Sequence, residues 1–90
     1  MIVFDPEKDK VNIAKHGISL GCAADLDVFA RVADDRFAEP RFRAYGMIGS
    51  VFFCLAYTIR DGHVRAISLR RAHSKEIRRY GIYEDKAQKD

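Results

Sequence analysis

The stretch VRAISLRRAHSKEIRRY, residues 64–80, holds six arginines and lysines: Arg65, Arg70, Arg71, Lys75, Arg78 and Arg79. His73 lies among them, Arg60 just upstream, and the single opposing acid is Glu76. Guanidinium groups stay charged and bind phosphate oxygens through two parallel hydrogen bonds, so such a cluster suits a polyanion. A shorter cationic run, EPRFRAYG, sets Arg41 and Arg43 on either side of Phe42. On a strand these two arginines share a face and make a second rail for a charged backbone. The alternative is a solvated basic surface on an ordinary domain.

Charge distribution sharpens the choice. Net charge is +3 over 90 residues, but residues 1–40 carry five basic and eight acidic side chains, and residues 41–90 eleven and five. The chain therefore reads as an acidic front (−3) joined to a basic back (+6), which favours a polyanionic partner on one surface. Ninety residues allow one domain, expected over 1–83, with the polar run EDKAQKD, 84–90, as a frayed tail. A hydrophobic content of 48% argues for a folded globule. No apolar run reaches the ~18 residues of a membrane span, and the acidic opening does not look like a secretory signal, so the expected location is the cytoplasm. Cys22 and Cys54 lack metal-ligand spacing and read as small buried residues, so no metal or other cofactor is expected.

The elements that position these groups follow from local signals. MIVF reads as a strand. Asp5 as cap, Pro6 in the first turn and Gly17 as stop predict a helix over 6–16, with Val11, Ala14 and Ile18 on its buried side. Ser19 caps a second helix through about Phe29, which makes a helical hairpin. RVADDRF, 31–37, is either an edge strand or a loop. RFRAYG alternates as a strand, MIGS holds a turn, and VFFCLAYTI is apolar on both faces, the mark of a central strand. Asp61-Gly62 predicts a two-residue hairpin whose partners sum to 123, so that Ile59 faces Val64, Thr58 faces Arg65 and Leu55 faces Ser68. In that register Arg65 and Arg70 point to opposite faces, and they serve one site only if the strand bends, bulges or ends between them. Ser74 caps a last helix over about 74–80, stopped by Gly81. The fold class is α+β, with an antiparallel sheet of three to four strands.

FDPEKDKVNIAKHGISL resembles the opening of the BrnT family of toxins, where a (W/F)-D-P-x-K…N…K-H-G-(I/V)-S-(F/L) run is characteristic. EPRFRAYG resembles that family's E-x-R…G segment, and VRAISLRRAHSKEIRRY its closing R-x-I-S-x-R-x-A…E…Y segment. The three occur in family order from Phe4 to Tyr80. Phe4 stands where Trp is commoner, Ala66 where a larger aliphatic is usual and Leu69 where a small residue is usual. The resemblance implies a RelE-like ribonuclease fold and a ribonuclease toxin of a type II toxin–antitoxin pair. It also implies a BrnA-type DNA-binding antitoxin as partner, in a hetero-oligomer that reaches operator DNA through the antitoxin.

Cleavage of RNA without metal needs a base for the 2′-hydroxyl, an acid for the leaving oxygen, and cations around the phosphorus as charge builds there. Arg65 is the first candidate for the phosphate, with an ion pair to Glu7 or Asp27 as its structural alternative. Arg70, at the strand's end, is the second. Glu76 is either a base or a holder of Arg79 or Arg65. Tyr80, one helical turn on, stacks a base, donates a proton, or packs. His16, at a helix C-terminus where a cation is favourable, is either a proton donor or a cap. Lys15, Arg41, Arg43, Arg71, Lys75, Arg78 and Arg79 are candidates for RNA contact, with Glu39 a partner for Arg41. His63 and His73 read as exposed. A different class of function is a nucleic-acid-binding module without catalysis, though no helix-turn-helix pair is evident near Arg70–Arg79 to read a major groove. A third is an interaction protein whose basic face docks an acidic partner.

Overall fold

Residues 2–81 are described by a computed structural model. The expected tail, 84–90, and the domain end at residue 83 lie outside them. Strand β1 (Ile2–Val3) leads into helix α1 (Pro6–His16). Asp5 accepts from the Glu7 amide at 2.9 Å, Pro6 opens the first turn, and Gly17 closes the helix at φ 73°, its N–H donating to Ile13. These are the expected bounds, but of the three residues expected on the buried side only Ile18 packs against the core. Val11 is 57% exposed and Ala14 is also exposed, while Asn12 is the buried residue of the helix. Its amide donates to the carbonyls of Leu69 (2.8 Å) and Ile18 (2.9 Å), and its oxygen accepts from the Leu69 N–H at 3.0 Å. Asn12 thus supplies the partners that a neighbouring strand would give Leu69. A buried, fully bonded amide outweighs the short apolar stripe here.

The second helix is also corrected. Ser19 does cap a helical turn, accepting from the Gly21 N–H at 3.1 Å, and Asp9 ties that turn to α1 through Ser19 Oγ and the Leu20 N–H. The turn is a 3-10 helix, Leu20–Asp25, and the chain is extended again at Leu26. Asp27–Asp34 forms strand β2, followed by β3 (Arg41–Ile48), β4 (Val51–Arg60) and β5 (His63–Arg71). Residues 27–29 leave the helix because β3 offers an open edge, where they gain a ladder of backbone hydrogen bonds. RVADDRF is accordingly divided, strand to Asp34 and turn beyond. Among the described residues the sheet has five strands, in the order β1-β5-β4-β3-β2. The count exceeds the expected three to four, and β1 makes the sheet mixed by joining β5 in parallel.

Central strand β4 is buried on both faces, as its composition predicts. On one face Leu20, Ala23, Ala44, Phe53, Leu55, Tyr57, Ala66 and Leu69 form the main core beneath the 3-10 helix. On the other, Tyr45, Phe52 and Cys54 form a smaller cluster, flanked by Phe29, Val32, Met47, Ala72 and Tyr80. Asp61 and Gly62 both take positive φ, 52° and 77°, in the β4–β5 turn. Next to that turn Ile59 pairs with Val64, Thr58 with Arg65 and Tyr57 with Ala66, as expected. The register then shifts: Ala56 pairs with Ser68 and Leu55 with Leu69, not Ser68. Ile67 is the extra residue of a β-bulge. Arg65 now lies opposite Thr58 and Arg70 opposite Cys54, positions of one parity on β4. The bulge therefore brings both arginines to one face of the sheet.

After β5 the last helix begins at Ser74, with His73 rather than Ser74 at the cap position. One α-helical turn, α2 (Ser74–Glu76), widens into a π-helix, Ile77–Gly81. No helix among the described residues is long and apolar enough to cross a membrane.

Candidate active site

The sheet face away from the 3-10 helix carries the cationic groups. From β3 come Arg41, Arg43 and Tyr45, from β4 Cys54 and Ala56, and from β5 Ser68 and Arg70, side by side through the strand register. All of these but Tyr45 line a groove of about 240 Å³, which Asp34, Arg36 and Phe37 close at the β2–β3 end. A second groove of about 250 Å³ runs from Ile67 and Ser68 to Asn12, Lys15 and His16. Because Ile67 and Ser68 line both, the C-terminus of α1 and the arginines of β3 and β5 border one concave path.

Arg43 and Arg70 of the first groove belong to a hydrogen-bonded network. Glu76 lies at its centre, its side chain 14% exposed. Arg70 donates from Nη1 to Oε1 at 2.8 Å and from Nη2 to Oε2 at 3.0 Å, a bidentate pair. The His73 backbone N–H donates to Oε1 at 2.7 Å, and the Tyr45 hydroxyl donates to Oε2 at 2.9 Å. Arg43 Nη1 in turn donates to the Tyr45 oxygen at 2.9 Å. Tyr80 stacks on Tyr45 with ring centroids 4.3 Å apart and planes 15° from parallel, which holds the C-terminal helix over the network.

The electrostatics follow from these contacts. The Arg70 guanidinium, with help from the His73 amide and the Tyr45 hydroxyl, holds the Glu76 carboxyl down at about 2. The same pairing raises Arg70 above its ordinary value. Burial, and then the bond to Glu76, pushes the Tyr45 phenol up, so its proton stays on the oxygen. Burial also pushes up the Cys54 thiol beside it. Cys54 is buried, Cys22 half-buried, and neither is in a disulfide. At neutral pH the centre is therefore a fixed anion held between donors. It can orient Arg70, but it accepts a proton poorly.

Of the residues singled out in the sequence, Arg41, Arg43, Arg70, Glu76 and Tyr80 meet on this face. Glu76 pairs with Arg70, rather than with Arg79 or Arg65. Arg65 shares the face but stands near the other end of β5, beside Val3 of β1 and about 13 Å from Arg70 at the usual strand rise. No ion pair joins it to Glu7 or Asp27 among the described residues; Glu7 pairs with Lys10. Lys15 and His16 are exposed on the far rim. Arg71, Lys75, Arg78 and Arg79 are exposed on and around the last helix, with Arg79 5.8 Å from the Tyr80 ring. His63 and His73 are exposed, as expected. Glu39 pairs with Arg60 at 2.7 Å, not with Arg41. Tyr45, Ser68, Asp34 and Phe37 were not singled out. Tyr45 had a signal, since strand alternation places it on the face of Arg41 and Arg43, whereas Ser68 depends on the bulge. Among the described residues no group of three or more His, Cys, Asp or Glu is placed to hold a metal ion.

Comparison with known proteins agrees with the sequence motifs. No curated protein matches the chain. Its structure is similar to the 1.1 Å crystal structure of the Brucella abortus ribonuclease toxin BrnT, at 28% identity and a TM-score of 0.62, over 81% of this chain and 96% of that one. The model of the family described as the ribonuclease toxin BrnT of type II toxin–antitoxin systems matches residues 4–76. A match across nearly all of the described residues, covering α1 through the glutamate at the centre of the network, shows that the chain belongs to the BrnT family of ribonuclease toxins.

Proposed function

We propose that the chain is a metal-independent endoribonuclease on a RelE-like scaffold, cleaving RNA in the groove lined by β3 and β5 and so inhibiting translation. The observation that carries this reading is the convergence of Arg43 and Arg70 on one network around Glu76, with Arg41 along the same wall. Support also comes from the Nε donors of Arg41 and Arg43, which are buried and have no acceptor among the described residues. Groups of this kind call for an acceptor, and phosphate oxygens are suitable ones.

In the reaction the 2′-oxygen forms a bond to the adjacent phosphorus and the bond from phosphorus to the 5′-oxygen breaks. The products are a 2′,3′-cyclic phosphate and a 5′-hydroxyl. Arg70 and Arg43 stabilise the charge that builds on the non-bridging oxygens. Glu76, held as an anion, fixes the Arg70 fork, and Tyr45 links that fork to Arg43. His16, across Ser68, is the candidate to move a proton at the leaving or attacking oxygen. Arg65 and the exposed Lys15, Arg71, Lys75, Arg78 and Arg79 carry the flanking phosphates. A BrnA-type antitoxin neutralises the protein in a hetero-oligomer, and operator DNA is reached only through that partner.

The test incubates pure protein with RNA in EDTA and analyses the ends. New 5′-hydroxyl and cyclic phosphate ends, abolished by added antitoxin, are expected. RNA that binds but stays intact would instead identify a non-catalytic binding module.

A further inference from the structure

The turn between β2 and β3 presents an aromatic ring that belongs to neither core. Phe37 is 42% exposed. The guanidinium carbon of Arg41 lies 4.0 Å from its ring centroid, and that of Arg36 lies 5.6 Å away. The turn is tied down around it. Asp34 accepts from Arg36 Nε at 2.8 Å and Nη2 at 2.7 Å, and from the Arg36 backbone N–H at 3.3 Å. Thr58 Oγ1 donates to the Pro40 carbonyl at 2.6 Å, and Arg60 holds Glu39 at 2.7 Å. The ring is therefore held at the mouth of the groove before any ligand arrives, and little ordering remains to oppose binding. That groove is the one lined by Arg43 and Arg70.

We propose that Phe37 and Arg41 form a stacking subsite for one unpaired nucleobase of single-stranded RNA, next to the phosphate held by Arg43 and Arg70. The proposal rests on the reading of the groove as an RNA site and adds to it a preference for single strands. Every base has a flat π-face, and aromatic rings and guanidinium planes are the side chains that stack on it. A base inside a duplex is covered on both faces and cannot reach the ring. A phosphate held between Arg43 of β3 and Arg70 of β5 would anchor the same nucleotide chain.

The test measures binding of a short, fully 2′-O-methylated RNA by fluorescence anisotropy, alongside the KM for cleavage of unmodified RNA. Phe37→Ala is expected to weaken binding and raise KM by about 5- to 100-fold, the range for loss of one stacked base, with kcat little changed. Phe37→Trp is expected to retain affinity. Phe37→Leu, of similar bulk but without a π-face, is expected to behave like Phe37→Ala. All three should melt with the wild type, since the ring lies outside both cores. An abasic position scanned through the oligonucleotide should weaken wild-type binding at one point and leave Phe37→Ala unaffected there. Equal affinity and an unchanged abasic profile in Phe37→Ala would overturn the subsite while leaving the nuclease reading intact. Wild-type protein that neither binds nor cleaves RNA would overturn both.

Discussion

Substituting Glu76 by Gln tests the central network most directly. Glu76→Gln keeps the shape of the side chain and removes its charge. The carboxylate accepts four hydrogen bonds, two of them from Arg70. The Gln amide has one acceptor oxygen, and its NH2 group must face a donor from Arg70, His73 or Tyr45. A carboxyl at about 2 instead of an ordinary 4.5 is stabilised as an anion by up to about 3 kcal/mol, and solvent on the open side of the pair reduces this to on the order of 2 kcal/mol. With the cost of unpaired donors, the variant should lose about 2–3 kcal/mol, or about 10–20 °C in Tm for a domain of this size. The pH dependence has a definite sign. The folded value lies below the unfolded one, so the unfolded chain binds the extra proton between them. The contribution is therefore complete above pH ~5 and is lost as pH falls toward 2. Asp34, held at about 2 by Arg36, titrates in the same window. The assay is accordingly urea unfolding from pH 7 to pH 2.5 for wild type, Glu76→Gln, Asp34→Asn and the double variant. The difference between wild type and Glu76→Gln should shrink as pH falls, and should do so in the Asp34→Asn background too. A Glu76→Gln protein with wild-type stability at pH 7 and an undiminished acid-induced loss would refute the assignment of Glu76 as the anion that holds Arg70.

Arg70→Lys, which keeps the charge but not the planar fork, should slow single-turnover RNA cleavage by about 100-fold or more while binding changes less; equal rates would remove Arg70 from the site. Arg65→Ala, at a flanking phosphate, should raise KM for RNA cleavage by about 3- to 10-fold with kcat little changed in a protein that still folds, and a wild-type KM would show that Arg65 is dispensable. Asn12→Ala leaves the Leu69 N–H and C=O without partners at the edge of β5, a cost of about 2–4 kcal/mol, read as lost hydrogen-exchange protection at Leu69. Gly46→Ala drives a methyl group into the Asp27 carbonyl of the neighbouring strand. It should destabilise by about 2–3 kcal/mol in denaturant titration, because two backbones cannot move apart without breaking the β2–β3 ladder.

Some of this protein was written in short stretches of chain. The cap, first-turn proline and terminal glycine of α1 lie within a dozen residues, and their energies are local, so its bounds follow from them directly. Asp61-Gly62 defines its own turn and the pairs beside it for the same reason. The family-like segments hold Arg41, Arg43 and Arg70, which meet on one face, and strand alternation already set Tyr45 beside Arg41 and Arg43. Other features were settled only by distant parts of the chain. Residues 27–29 suit either a helix or a strand, and the free edge of β3 decided for the strand. Asn12 is buried because Leu69, 57 residues away, needed bonding partners. The bulge at Ile67 set Arg65 and Arg70 on one face, against the register that the turn alone implies. The contact of Tyr45 with Glu76 spans 31 residues, and no spacing rule encodes it. Local signals act through caps and turns that exist in any short peptide, whereas the site exists only once backbone ladders and two cores have fixed where the strands lie.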